Sequence, residues 1–166
     1  MKDKEMQSKI QRAFAHAVPD TLDTVLRDCA APGGKATRLA ECAGALVANE
    51  IEPRRAKVLL SNLERMGAWN AAVTNETPAR LAQALPEAFD AVLVDAPCSG
   101  EGMFRRDPGA IAEWTEASNL GCQKRQREIL ACAARLVRPG GRLVYSTCTF
   151  SPLENEDNVE WFLREF

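Results

Sequence analysis

Two cysteines, each placed just after a short apolar run, have the surroundings that covalent chemistry needs. One lies in Asp95-Ala96-Pro97-Cys98-Ser99-Gly100, the other in Ser146-Thr147-Cys148-Thr149-Phe150-Ser151-Pro152. A thiolate is a strong nucleophile, and its attack divides one difficult substitution into easier steps. Phe89 to Val94 and Arg142 to Tyr145 read as buried strands. Both thiols are therefore expected at strand C-terminal ends, where open α/β sheets gather their ligands. Either cysteine taken alone could be structural; delivered together to one crevice, they point to catalysis.

A third segment suggests a cofactor loop. Cys29-Ala30-Ala31-Pro32-Gly33-Gly34-Lys35 leaves a first strand and opens a helix. Gly33 and Gly34 allow close backbone approach, and N–H groups at a helix start can meet a carboxylate or phosphate. The spacing is neither G-x-G-x-x-G nor the P-loop pattern, which disfavours a dinucleotide or P-loop site. A structural strand-to-helix turn accounts for the glycines equally well. Glu50, closing a second strand, favours the ligand reading, because an acid there can accept hydrogen bonds from ribose hydroxyls.

The elements needed to position these groups alternate strand and helix. Strands are expected from Thr24, over Ala45–Asn49, Ala71–Thr74 and Phe89–Val94, and from Arg142 after a Pro139-Gly140-Gly141 turn. Pro53 suits the first turn of one helix and Gly67 its C-terminal end. Residues 78–84 read as a short helix, residues 108–137 as a helix interrupted near Asn119–Gly121, and residues 153–166 as a closing helix. Residues 4–17 read as a helix with Met6, Ile10, Ala13 and Phe14 on one face. The organisation expected is an N-terminal helical segment, residues 1–22, and an α/β core, residues 23–166, with a doubly wound, mainly parallel sheet that ends after strand five. The loops after strands one, four and five would then meet at the topological switch point.

Composition sets limits. A chain of 166 residues with 46% apolar and 27% charged residues suits one globular core. No apolar run reaches the roughly 20 residues of a membrane span. The charged start Met1-Lys2-Asp3-Lys4-Glu5 is unlike a signal peptide, so the cytoplasm and reduced cysteines are expected. His16 is the only histidine and no C-x-x-C pair occurs, so no metal site is expected. Cys42, Cys122 and Cys132 fall in helical stretches and are expected to be small core residues. A net charge of −2 does not suit a strong autonomous nucleic-acid binder. Basic residues cluster only locally, as Arg105-Arg106 and as Lys124-Arg125 with Arg127, which read as solvated surface or as a phosphate-facing rim.

The three motifs, in this order, resemble those of the S-adenosylmethionine-dependent RNA cytosine-5 methyltransferases of the Nop/Sun group. Glu101-Gly-Met-Phe-Arg-Arg-Asp-Pro108 is most similar to the bacterial 16S rRNA enzymes of the RsmF kind. The resemblance implies a Rossmann-like class I methyltransferase core that binds S-adenosylmethionine and acts on RNA, in particular rRNA. It implies that Cys29, Ala30, Ala31, Pro32, Gly33, Gly34 and Lys35 line the methionine and ribose part of the cofactor. Glu50 would hold the ribose, Thr77 would lie near the adenine, and Asp95 would contact both cofactor and cytosine. Cys148 would be the nucleophile and Cys98 would assist release, as a general base. Lys35 is the candidate for ionising Cys148, and an Asp95 that donates a proton to the ring would need a raised pKa. Arg27 stands where the family usually has an acid, and Thr77 where it often has an aspartate. The usual flanking RNA-binding segments do not appear in the chain, so self-association or a partner chain completing the sheet is expected. The reading from another class is a methyltransferase-like binding or scaffold module, or an inactive truncated fragment, without turnover. A DNA substrate fits less well, because DNA cytosine-5 enzymes use the Pro-Cys thiol as nucleophile.

Overall fold

The computed structural model describes residues 24–28, 30–104, 109, 111 and 114–166. The expected N-terminal helix, Cys29 and the pair Arg105-Arg106 lie outside the described residues.

Five parallel strands form one sheet in the order β3-β2-β1-β4-β5. They are β1 (Thr24–Asp28), β2 (Ala45–Asn49), β3 (Ala71–Thr74), β4 (Phe89–Asp95) and β5 (Val137–Ser146). Between them run α1 (Gly34–Ala40), α2 (Pro53–Arg65), α3 (Pro78–Ala84) and α4 (Glu116–Leu136), and α5 (Glu156–Glu165) follows β5. The strand order reverses between β1 and β4, which pair directly from Val25 with Ala91 to Asp28 with Val94. Loops leaving the C-terminal ends of those strands therefore diverge to opposite sides and leave a crevice.

Every residue of β2 is buried, as expected of an interior strand covered on both faces. One apolar layer joins Ala36, Leu46, Leu59 and Leu63 beneath α1 and α2. The other joins Leu26, Val47, Leu81, Phe89, Val92, Ile129 and Leu136 beneath α3 and α4. Helix starts follow local chemistry. The Glu52 carboxylate accepts the Arg54 and Arg55 N–H groups ahead of Pro53, and the Thr77 hydroxyl accepts the Arg80 N–H ahead of Pro78.

Three elements differ from the sequence reading, the first being the closing helix, which starts at Glu156 instead of residue 153 because residues 152–155 form a turn. The fifth strand begins at Val137 instead of Arg142, because Gly140, at φ +75°, lets the strand continue through a register shift opposite Phe89 and Ala91. α4 runs unbroken through Asn119–Gly121, since Gly121 weakens a helix without ending it when both flanks are good helix formers. The three cysteines expected in the core are not buried: Cys42 is exposed beyond the end of α1, and Cys122 and Cys132 are half-buried on α4.

Candidate active site

The crevice at the strand ends opens as a cleft of about 750 Å³. Of the residues singled out in the sequence, Ala31, Lys35, Glu50, Thr77, Asp95, Cys98 and Cys148 line it, as do Arg125 of the basic cluster and Cys132. Ala30 is fully buried behind it, and Pro32, Gly33 and Gly34 shape the loop without lining the cleft. Gly33 adopts φ +116°, and a Cβ there would sit 3.3 Å from Leu59 Cδ1. That position favours glycine both for its backbone and for the close packing on α2.

Glu50 is 1% exposed at the end of β2. Its Oε2 accepts the Ala31 N–H at 3.3 Å and its Oε1 the Glu52 N–H at 3.1 Å. Arg55 lies 3.4 Å from Oε2. An ionised carboxylate has about four acceptor positions, so capacity remains for a hydroxyl donor in the cleft. Asn49, also buried, fixes the neighbouring loop: its Oδ1 accepts from the Thr74 hydroxyl and the Glu76 N–H, and its Nδ2 donates to the Glu76 carbonyl. Thr77 thereby reaches the cleft edge, although its hydroxyl oxygen already caps α3.

Asp95 ends β4 among donors. Arg27 Nη2 lies 2.9 Å from Oδ2, and Lys35 Nζ lies 2.6 Å from Oδ1. Ser146 Oγ donates to Oδ1 at 2.9 Å. Burial alone would raise the Asp95 pKa. The Lys35 and Ser146 hydrogen bonds and the Lys35 and Arg27 charges outweigh it and hold the carboxyl below its ordinary value. This corrects the expectation of a raised pKa: Asp95 is an acceptor. It also gives Lys35 a partner other than Cys148. Arg27, in place of the family's acid, is buried, and its guanidinium also donates to the Ala30 carbonyl.

The two thiols meet. Cys98 Sγ lies 3.0 Å from Cys148 Sγ and accepts the Cys148 N–H at 3.2 Å. Burial, followed by the hydrogen bond to Cys148, pushes the Cys98 thiol up to about 12. At neutral pH Cys98 holds its proton, which opposes the expected role of a general base in the resting site. Glu101, which sequence reasoning passed over, clamps the two loops together. Its Oε2 accepts the Thr149 hydroxyl at 3.0 Å and the Phe150 N–H at 3.1 Å. Gly102 N–H donates to the Cys148 carbonyl at 2.8 Å, where a Cβ on Gly102 would stand 2.5 Å from that oxygen. Ser146 and Glu101 lie inside the motifs and Arg27 stands out only as a departure from the family's acid, and none of the three carries a sequence signal for the contact that it makes.

Among the described residues no group of histidine, cysteine or acidic side chains could hold a metal ion, and no helix is long and apolar enough to cross a membrane.

The sequence model of the 16S rRNA methyltransferase RsmB/F family matches residues 16–166. A ribosomal RNA small subunit methyltransferase F from Klebsiella pneumoniae is 46% identical over 98% of this chain, which spans 35% of that protein. The crystal structure of PH0851 superposes with a TM-score of 0.83 at 35% identity, covering 93% of this chain and 36% of that one. NSun6 from Pyrococcus horikoshii, solved with SFG, superposes with a TM-score of 0.77 at 31% identity, covering 86% of this chain and 37% of its own. The chain thus spans about a third of the length of these relatives, and it belongs to the 16S rRNA methyltransferase RsmB/F family.

Proposed function

We propose that this chain is the catalytic core of an enzyme that methylates carbon-5 of cytosine in RNA, with rRNA as the substrate class and S-adenosylmethionine as donor. The observation that carries the reading is the contact of Cys98 with Cys148 at 3.0 Å, on the wall of a cleft that also holds Glu50 and Asp95. SFG, found in the NSun6 structure, is an analogue of S-adenosylmethionine. The residues fit such a ligand: a buried carboxylate with spare acceptor capacity at Glu50, and a glycine turn at Gly33, φ +116°, that opens α1 beside the cleft. S-adenosylmethionine, when bound, supplies an electrophilic methyl group.

The chain's own residues supply the rest. Carbon-5 of cytosine is a poor nucleophile. Addition of the Cys148 thiolate to carbon-6 forms a sulfur–carbon bond and moves the ring electrons toward carbon-5, which becomes enamine-like. Asp95, ionised and fixed by Arg27, Lys35 and Ser146, accepts a hydrogen bond from the exocyclic amine of the base, a donor that uracil lacks. After transfer the carbon-5 proton leaves, the sulfur–carbon bond breaks and Cys148 departs as thiolate.

Cys98 assists this last stage from its place 3.0 Å from the sulfur that leaves. Burial is the first cause of its raised pKa, so the carbon-5 proton leaves through a water that Cys98 holds beside the base. The target base must be unstacked to reach the cleft. The scaffold reading predicts the same fold and the same cofactor loop without turnover.

Cys98→Ala, incubated with 16S rRNA and S-adenosylmethionine, tests the assignment. A covalent protein–RNA band that survives denaturation and disappears in Cys98→Ala/Cys148→Ala is the expected result. Cofactor binding with no adduct in either thiol variant, and no methyl transfer by the unaltered chain, selects the scaffold reading. Adduct in Cys148→Ala but not in Cys98→Ala assigns the nucleophile to Cys98.

A further inference from the structure

Glu154 lies on the turn after Cys148, yet its carboxylate serves the loop of Cys98. Its Oε2 accepts the Ser99 N–H at 3.1 Å and the Gln126 side-chain amide at 2.6 Å. The same Gln126 nitrogen donates to the Pro97 carbonyl at 2.9 Å. Pro97 and Ser99 flank Cys98, so one carboxylate and carboxamide pair grips the peptide groups on both sides of the thiol. Asn158 sets the orientation of the pair. Its Nδ2 donates to Gln126 Oε1 at 2.8 Å and to the Glu154 main-chain carbonyl at 3.1 Å. With its oxygen thus engaged, Gln126 must turn its NH₂ toward Pro97 and Glu154.

All three side chains are 0% exposed. A fully buried carboxylate is costly unless its hydrogen bonds are made. Here one oxygen is doubly satisfied, while Oε1 has no hydrogen-bond partner. A side chain kept for packing alone would do better as leucine or methionine. What the acid provides is an oxygen that accepts from Ser99 and from Gln126 at once. An amide can accept both only by burying its own NH₂ where Oε1 now lies, and if flipped it sets donor against donor.

We propose that Glu154, acting through Gln126, is a positioning residue for Cys98 that holds its thiol against Cys148. The catalytic consequence rests on the two-thiol reading above; the geometric claim does not. The grip converts two thiols on separate loops into a pair with a high effective concentration.

The test uses the chain alone in glutathione redox buffers. Cys98 and Cys148 lose two electrons and two protons to form a disulfide, while one glutathione disulfide is reduced to two glutathione thiols. Peptide mapping by mass spectrometry gives the fraction of the Cys98–Cys148 bridge. Glu154→Gln is expected to lower the effective concentration of the pair by about tenfold or more, with Glu156→Gln, exposed on α5, as the unchanged control. A folded Glu154→Gln with the effective concentration of the unaltered chain overturns the proposal. Should that variant fail to fold, the unaltered chain still decides. Its Ser99 amide is expected to exchange with deuterium about a hundredfold more slowly than an unprotected peptide, and unprotected exchange overturns the proposal. Neither measurement involves cofactor or RNA. Failure of the methyltransferase reading would appear as absent adduct with the thiol equilibrium intact.

Discussion

Arg27 and Asp95 meet across the ends of adjacent strands β1 and β4, guanidinium nitrogen to carboxylate oxygen at 2.9 Å. Their side chains are 3% and 25% exposed, whereas Lys35, the second cation on Asp95, is 56% exposed. The two ion pairs therefore differ in what they stabilise. Removing the acid takes the charged partner from a buried guanidinium that keeps the Ala30 carbonyl, which costs about 2 kcal/mol, while removing the solvated Lys35 partner costs about 1 kcal/mol or less. Asp95→Asn is expected to lower the urea midpoint well beyond Lys35→Met. The reverse order would show that Arg27 does not depend on Asp95.

The same carboxyl fixes a pH dependence. Its folded pKa is depressed, so its contribution is fully present above the unfolded value near 4, and it is lost as pH falls through the lower folded value. The stability difference between the unaltered chain and Asp95→Asn should therefore hold from pH 7 down to about 4 and shrink only in stronger acid. Denaturant titrations at several pH values measure this. A difference already lost at pH 6 would contradict an ionised, cation-held Asp95.

Much of this arrangement was legible in the sequence, because the motifs sit where an alternating fold must place them. Strand ends followed by Ala31-Pro32-Gly33-Gly34, Pro97-Cys98 and Thr147-Cys148 can converge only at a switch point. The pairing of Arg27 with Asp95 was not legible, since it depends on which residues of β1 and β4 come level. The Glu154 to Gln126 bond joins side chains 28 residues apart. In sequence Glu154 falls near the start of the closing helix expected over residues 153–166, with nothing to mark it. The early start of β5 escaped because Pro139-Gly140-Gly141 has the composition of a turn, and only pairing with β4 shows that the chain continues as a strand.

Cys98 offers a chemical check on its raised pKa, pushed up to about 12 by burial and by Cys148. Alkylation needs the thiolate. Between pH 7 and 10, labelling of Cys98 by iodoacetamide, followed by peptide mapping, should stay slow and rise about tenfold per pH unit without levelling. In Cys148→Ala the side-chain hydrogen bond and the charge of the neighbouring thiol are gone, and Cys98 should label faster at every pH. A plateau near pH 9 in the unaltered chain would show that the two sulfurs do not share a proton.

Glu50 serves cofactor recognition and its own loop at once. Its Oε2 accepts the Ala31 N–H and its Oε1 the Glu52 N–H, so Gln keeps one of these bonds through its amide oxygen and turns its NH₂ against the other donor. Loss of a charged acceptor for a ribose hydroxyl is worth about 1.5 kcal/mol, or roughly tenfold in Kd. Glu50→Gln should weaken S-adenosylmethionine binding in calorimetry by at least that factor, and the one N–H it leaves unpaired should lower stability by about 1–2 kcal/mol, read as a lower thermal midpoint. Unchanged affinity would move the ribose away from the end of β2.

At Gly102 space alone decides. An added Cβ would stand 2.5 Å from the Cys148 carbonyl oxygen, on a backbone that itself donates to that oxygen at 2.8 Å. Neither atom is the end of a flexible side chain, so Gly102→Ala must push the Cys148 loop aside, at about 1–3 kcal/mol. The displacement reaches the thiol contact but not Glu50, which sits at the end of β2 beyond β1. The expected pattern is cofactor affinity within about twofold of the unaltered chain together with loss of the RNA adduct in the Cys98→Ala background. Undiminished adduct in Cys98→Ala/Gly102→Ala would show that the loop yields without moving Cys148, and that the contact of Gly102 with its carbonyl has no part in placing the nucleophile.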